Sequence, residues 1–144
     1  MLTPSGWFHA GILGTLLLAC LGWKGWLAVV IYFVLGSLVT RFGYSIKKDK
    51  GIAEPRSGMR GPENVWGSAA VGTFLALLIN SGLTNAEILE IAFAASFTAK
   101  LSDTFGSEIG KAWGRKTFLI TTFKSVPPGT EGAISIEGTF ASLL

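Results

Sequence analysis

A chain of 144 residues that is 49% hydrophobic and 15% charged differs from soluble domains, which usually carry about 25% charged residues. The mean hydropathy of +0.51 also indicates a membrane protein. The formal net charge of +3 comes from basic residues that cluster in two loops, so we expect no nucleic-acid binding. The single cysteine, Cys20, excludes an intrachain disulfide.

Four apolar segments predict four membrane-spanning helices, because a spanning helix needs about 17–25 mostly apolar residues. The fourth segment carries Glu87 and Glu90 in its first turn, where the helix dipole and the lipid headgroups tolerate them. We predict an all-α fold, a polytopic membrane helix bundle in which residues 1–144 form a single integral membrane domain. The predicted helices lie near residues 5–22, 25–41, 64–81 and 86–103.

Basic residues set the predicted orientation of this bundle. Eleven of the twelve lie at the end of the second or the fourth helix or beyond it, and the twelfth, Lys24, lies in the turn between the first two helices. The positive-inside rule then places both termini and two loops on the cytoplasmic side of the membrane or its topological equivalent. For the lysine cluster at residues 47–50, a simpler alternative is that it only sets topology and contacts lipid headgroups.

Asp103 and Glu108 directly follow the fourth apolar segment. A carboxylate beside a lipid-embedded helix is unfavourable there, so it usually has a function. Mg²⁺ takes one or two protein carboxylates and completes its coordination with water and substrate phosphates. We therefore predict that both carboxylates bind Mg²⁺ and act in catalysis together with Lys124, while Lys100, Lys111 and Lys124 neutralise phosphate charge. A helix end capped by ion-paired carboxylates is the simpler alternative.

The spacing of these two carboxylates restricts how they can share one ion. Five residues of ideal helix turn the chain by roughly 500°, which leaves the two side chains about 140° apart. We expect the helix to distort or end near Gly106, because glycine adopts backbone shapes that other residues avoid. Ser107, which lies between the two carboxylates, is a further candidate for binding the cofactor.

Two loops with glycine and proline residues supply further candidates for phosphate binding. The first carries Arg60 and Asn64, and the second carries Lys124, Thr130 and Glu131. Arginine binds phosphate bidentately, and glycine-rich backbone exposes N–H groups to anions. We predict that the two loops close over nucleotide phosphates from two sides. A solvated loop without a ligand is the simpler alternative for the first.

Catalysis by histidine or by a phosphate-binding P-loop is not indicated. His9 is the only histidine, and no Gly-x-x-x-x-Gly-Lys-Ser/Thr sequence occurs. Phosphoryl transfer depends mainly on a metal and on positioning, and needs neither.

Three motifs resemble the signatures of one membrane family. Residues 100–110, KLSDTFGSEIG, are similar to (A/S)DT-xx-SE-(I/L)-G, residues 119–139 to a second, longer signature, and residues 60–66 to an Arg-Gly-xx-Asn segment. In their order along the chain, 60–66, 100–110 and 119–139, the three motifs resemble those of the family that contains the plant and cyanobacterial phytyl-phosphate kinases, which is distantly similar to CTP-dependent polyprenol kinases. Members of that family continue through further helices, so the resemblance implies that this chain is the N-terminal part of a longer fold.

The resemblance implies an enzyme that uses Mg²⁺ and CTP to convert phytyl phosphate into phytyl diphosphate, a tocopherol precursor, in a cyanobacterial or plastid membrane. The expected partners are a nucleoside triphosphate, an isoprenoid lipid phosphate and membrane lipids, and a homodimer is left open. One alternative is a CTP-dependent cytidylyltransferase or prenol kinase that acts on a lipid. Another is a small transporter or scaffold without chemistry, which would bury charges between helices.

Overall fold

The computed structural model describes residues 2–54, 58–82 and 85–143, and most of these residues are helical, as predicted. Two short antiparallel strands, which pair Thr117 with Ser135, depart from the all-α expectation. The elements are α1 (Pro4–Arg41), α2 (Tyr44–Asp49), α3 (Pro62–Ser81), α4 (Ala86–Trp113), β1 (Thr117–Leu119), β2 (Ala133–Ser135) and α5 (Ile136–Ser142).

The chain divides into two compact units. The first unit contains residues 1–34 and 59–100, and the second contains residues 35–58 and 101–144. The expectation of one integral membrane domain over residues 1–144 stays a prediction.

Helix α1 reverses direction at Gly22. The backbone there has φ 66° and ψ −160°, a conformation that glycine adopts without a Cβ clash. The ring centroids of Trp7 and Phe33 lie 6.3 Å apart, whereas the same stretch of straight helix would separate these residues by about 39 Å. α1 is therefore a helical hairpin whose two arms lie close to the predicted segments 5–22 and 25–41.

The number of membrane spans stays a prediction. Among residues 2–54, 58–82 and 85–143, one helix, α1, is long and apolar enough to cross a membrane by length and composition alone. That criterion treats the two arms of the hairpin as one element. The third and fourth predicted helices correspond to α3 and to the first part of α4.

Small residues let α3 and α4 approach each other closely in the first unit. Gly72 is buried, and a Cβ added to it would lie only 2.6 Å from Cε2 of Phe97. Tyr32 packs against Phe97 at 5.9 Å between ring centroids, and its hydroxyl donates to Ser68 Oγ at 2.8 Å. Ala76, one turn beyond Gly72, is also buried. Close backbone approach of this kind is how helices associate in lipid.

The end predicted for the fourth helix at residue 103 is wrong. α4 continues without a break to Trp113, so Asp103 and Glu108 lie inside a helix. The glycines that suggested a break serve close packing in the second unit instead. A Cβ on Gly106 would lie 3.1 Å from Ser142 Cβ, and one on Gly110 would lie 3.1 Å from Ser135 Oγ.

Candidate phosphate and metal site

The part of α4 beyond residue 100 presents one polar face, formed by Asp103, Ser107 and Lys111. Four-residue spacing places these side chains above one another on the helix surface. Asp103 and Ser107 are exposed, and Lys111 is partly exposed. The Ser107 hydroxyl donates to the Thr104 carbonyl at 3.1 Å, so its lone pairs stay directed outward for accepting or ligating contacts. This polar face combines a carboxylate, a hydroxyl and an ammonium group.

Glu108 lies on a different face of α4 and is buried, with 4% of its surface exposed. The fully buried Lys47 of α2 donates to Glu108 Oε2 and, at 2.7 Å, to the carbonyl of Thr40. A buried carboxylate and a buried ammonium each need a compensating charge, because taking an ion out of water costs several kcal/mol. The pair therefore holds α2 against α4 at one defined position.

Two further contacts tie residues 47–54 to the C-terminal end of α4. Lys50 Nζ donates to the carbonyl of Ala112 at 2.9 Å, where the last carbonyls of a helix favour a cation. Lys111 Nζ forms a salt bridge with Glu54 Oε1 at 2.7 Å. Lys47 and Lys50 therefore contact charged or polar groups of the protein. The lysine cluster at residues 47–50 thus does more than set membrane topology and contact lipid headgroups.

The second predicted loop lies in the same unit. Lys124, Thr130 and Glu131 are exposed on it. The Thr130 hydroxyl donates to the Pro127 carbonyl at 2.8 Å, which shapes the turn. Gly129, with φ 88°, passes so close to Ile52 that an added Cβ would lie 2.7 Å from Ile52 Cγ2. The second loop thus packs directly against residues 47–54.

Arg60 and Asn64 belong to the first unit, where they shape the start of α3. Asn64 Oδ1 accepts a hydrogen bond from the Gly61 amide at 3.1 Å and thereby caps the helix. Arg60 Nη1 donates to the Tyr32 hydroxyl at 3.5 Å, and its guanidinium carbon lies 5.7 Å from the centroid of that ring. Their predicted closure over phosphates together with the second loop stays a prediction.

The donor set fits magnesium better than zinc. Within the described ranges, no three His, Cys, Asp or Glu side chains form a cluster for a metal. Mg²⁺ does not need such a cluster, because one carboxylate with water and substrate phosphates can complete its shell. Asp103 and the neighbouring Ser107 supply hard oxygen atoms on an exposed face. Joint binding by Asp103 and Glu108 stays a prediction, and on this helix it would require Glu108 to leave Lys47.

The sequence reasoning missed the specific role of Lys47. It grouped this residue with Lys48 and Lys50 as part of one basic cluster. A signal was available, because a glutamate beside an apolar helix requires a cation, and residues 47–50 hold three lysines. Which of the three lysines would be buried depends on the tertiary packing of α2 and has no sequence signal.

Comparison with known proteins places the chain among membrane proteins. The family described as "Integral membrane protein DUF92" matches residues 1–144. Relatives include the uncharacterized membrane protein sll0875 of Synechocystis, which is 55% identical, and Protein VTE6, chloroplastic, of Arabidopsis thaliana, which is 47% identical. The uncharacterized membrane protein MJ0933 of Methanocaldococcus jannaschii is 37% identical. No solved structure matches.

These alignments cover nearly all of this chain but only part of each relative. They span 98%, 99% and 99% of this chain, and 55%, 44% and 58% of the Synechocystis, Arabidopsis and Methanocaldococcus proteins respectively. The chain therefore spans about half the length of these relatives. A chloroplast protein and a cyanobacterial protein among them confirm the family resemblance that the three motifs predicted.

Proposed function

The chain belongs to the DUF92 family of integral membrane proteins, and from that premise we propose that it transfers a phosphoryl group from CTP to an isoprenoid monophosphate. The proposed acceptor is phytyl phosphate, and the product is phytyl diphosphate for tocopherol biosynthesis. The proposed location is a cyanobacterial or plastid membrane, in line with the chloroplast and cyanobacterial relatives. The motif resemblance to phytyl-phosphate kinases supports this reaction.

One geometric observation carries the proposal. α4 is apolar along most of its first half and then presents Asp103, Ser107 and Lys111 on one accessible face. The reaction must bring a phosphate attached to an apolar chain together with a water-soluble nucleotide. A helix that changes from apolar to polar along its length suits that task, because the chain can stay in lipid while its phosphate meets the polar face.

Each residue has a proposed task. Asp103, with Ser107 beside it, holds Mg²⁺; when bound, the ion neutralises charge on the nucleotide phosphates. Lys111 and Lys124 attract the phosphates as point charges. Thr130 and Glu131 position the nucleotide phosphates from the second loop, and positioning of this kind supplies much of the rate enhancement in phosphoryl transfer.

Glu108 has a positioning role in this proposal. Its ion pair with Lys47 fixes α2, and the contacts of Lys50 and Glu54 extend that fixation along residues 47–54. The polar face of α4 and the second loop are thereby kept in one arrangement. A direct metal contact by Glu108 remains the alternative assignment, and a higher Mg²⁺ concentration needed for turnover by Glu108→Gln would favour it.

The buried pair also favours a second candidate function. A transporter or scaffold without chemistry was expected to bury charges between helices, and Lys47 with Glu108 does so between α2 and α4. Charges buried within a membrane helix bundle often mark ion pathways. The exposed carboxylate and lysines of the same unit have no task in that alternative, which is why phosphoryl transfer is preferred.

Product analysis tests the proposed reaction. Membranes containing this chain are incubated with phytyl phosphate and Mg²⁺ and with each of the four nucleoside triphosphates in turn. The kinase predicts phytyl diphosphate together with CDP. Pyrophosphate as the released product would instead indicate cytidylyl transfer. A failure to consume any of the four nucleotides would contradict both enzymatic assignments and leave the transporter or scaffold.

A further inference from the structure

The first unit contains a partly open cavity of about 430 Å³. Small-molecule sites commonly measure about 300–1,000 Å³, so the cavity is large enough for a ligand. Its walls come from both arms of the α1 hairpin and from the beginning of α3. They are mostly apolar, with Leu13, Leu18, Val29 and Phe33 among them. Such walls favour a hydrocarbon chain over a nucleotide.

One end of the cavity differs from the other. Arg60 carries the only charge among the described residues that line it. The Arg60 carbonyl accepts from the Thr3 amide at 3.0 Å, which places this residue beside the start of α1. Leu18 and Trp26 line the opposite end, near the reversal of α1 at Gly22. The wall from Trp7 to Leu18 extends over about 16 Å of helix.

We infer that this cavity binds the chain of a single-chain isoprenoid monophosphate and that Arg60 binds its phosphate. The guanidinium matches a phosphomonoester in charge and in donor geometry. The apolar walls match the chain, and one continuous cavity suits one chain better than the two chains of a bilayer phospholipid. The identification of the chain as isoprenoid rests on the proposed function, whereas the pairing of an apolar cavity with an arginine does not.

Three of the polar groups that line the cavity contact groups of the protein. The Tyr32 hydroxyl donates to Ser68, the Thr15 hydroxyl donates to the Gly11 carbonyl at 2.9 Å, and Asn64 caps α3. Their presence therefore does not require a polar ligand deep in the cavity. Recognition in this site consists of a charged entrance and an apolar interior, as expected for an amphiphile.

Gly11 offers a way to fill the cavity without disturbing the helix. It lines the cavity, and a Cβ added to it meets no atom within 4 Å. Gly67 is a matched control, because it also lies within a helix, is exposed and has nothing within 4 Å of an added Cβ. It is not among the residues that line the cavity. Gly11→Phe and Gly67→Phe thus add the same ring at sites that differ in access to the cavity.

The test measures binding without nucleotide, so that it does not depend on turnover. The 144-residue chain is placed in phosphatidylcholine nanodiscs and titrated with phytyl monophosphate that carries a photoreactive group near the end of its chain. We expect Gly11→Phe to weaken binding on the order of tenfold, about 1.4 kcal/mol, and Gly67→Phe to match the wild type. Photoproducts should map to α1. Equal affinities of the two variants, or photoproducts confined to the second unit, would overturn the assignment.

Arg60 is tested through the ligand. Arg60→Lys keeps the charge and loses the bidentate fork, so it should weaken phytyl monophosphate binding but leave phytol binding unchanged. Equal losses for both ligands would show that Arg60 acts only on the fold. Phosphatidic acid, which has two chains, and hexadecyl phosphate, which lacks isoprene branching, serve as competitors. If phosphatidic acid displaces the probe as effectively as phytyl phosphate does, the single-chain assignment is overturned. If hexadecyl phosphate displaces it as effectively as phytyl phosphate does, the isoprenoid assignment is overturned.

The outcomes separate this site from the proposed reaction. Cavity binding without phosphoryl transfer would keep the lipid site and contradict the kinase. Phosphoryl transfer in a Gly11→Phe variant with wild-type affinity for phytyl monophosphate would keep the kinase and contradict the lipid site.

Discussion

The two units of the chain are stabilised by different chemistry. Among the described residues of the first unit, neutral groups form interhelical hydrogen bonds, such as Tyr32 with Ser68 and Trp66 with His9, beside apolar packing and the contact of Arg60 with the Tyr32 ring. In the second unit, Lys47 and Glu108 form a fully buried ion pair, and Lys111 forms a salt bridge with Glu54. The first unit surrounds an apolar cavity, and the second carries most of the predicted phosphate-binding residues.

The difference between the two units indicates where this chain accommodates charged side chains. Lipid tails are as apolar as leucine side chains, so helices in lipid associate through close packing and neutral hydrogen bonds rather than through hydrophobic burial. Charges become useful where a phosphate must be attracted, and there their burial has to be compensated by partners. Each of the following variants disrupts the ion pairing, the helix packing or the hydrogen bonding of one unit only.

The largest effect is expected from Lys47→Ala. It leaves the Glu108 carboxylate buried without its partner, which typically destabilises a fold by about 3–5 kcal/mol. Thermal unfolding in detergent measures the loss. Lys47→Met combined with Glu108→Leu removes both charges and should recover most of it. A double variant as unstable as the single one would show that the pair stabilises through more than charge compensation.

A smaller effect, about 1–3 kcal/mol, is expected from Gly72→Leu in the first unit. The added side chain has no space, because even a Cβ would lie 2.6 Å from Phe97 Cε2. Gly67→Ala is the control, since its Cβ meets nothing and alanine favours helix by about 0.5–1 kcal/mol. Wild-type unfolding of Gly72→Leu would mean that α3 and α4 are not closely packed there.

A double-mutant cycle on Tyr32→Phe and Ser68→Ala isolates the neutral hydrogen bond of the first unit. Interhelical hydrogen bonds in membrane proteins average about 0.6 kcal/mol, so the coupling energy should be of that size. A coupling as large as that of the buried ion pair would remove the energetic contrast between the units.

The smallest effect is expected from Lys111→Ala. Its salt bridge with Glu54 is partly exposed, and such pairs contribute about 0.2–1 kcal/mol and weaken with salt. Unfolding at low and high ionic strength measures both features. A loss of stability as large as that of Lys47→Ala would show that this salt bridge contributes as much as a buried ion pair.

The apolar segments were predictable because a membrane helix can be recognised from its composition alone. The hairpin at Gly22 and the start of α3 therefore lie near the predicted boundaries. The end of α4 was not predictable, because Gly106 indicated a distortion or an end of the helix, and its close approach to α5 is visible only in the structure.

The sequence indicated which residues belong to the candidate site, but it did not indicate how they are arranged. The motif identified both Asp103 and Glu108 as candidates. Because α4 is one continuous helix, Asp103 lies on its exposed face, whereas Glu108 is buried and pairs with Lys47. The cavity near Arg60 left no sequence signal at all, because it arises from the way two apolar helices fold back on each other.

The most direct test of the central claim, phosphoryl transfer at the polar face of α4, compares Asp103→Asn with Asp49→Asn. Both change one exposed carboxylate of the second unit into an amide of equal size. Formation of phytyl diphosphate from CTP and phytyl phosphate is measured alongside thermal unfolding in detergent. We predict that Asp103→Asn abolishes product formation with unchanged unfolding, while Asp49→Asn retains wild-type turnover. Wild-type turnover in Asp103→Asn would contradict the claim.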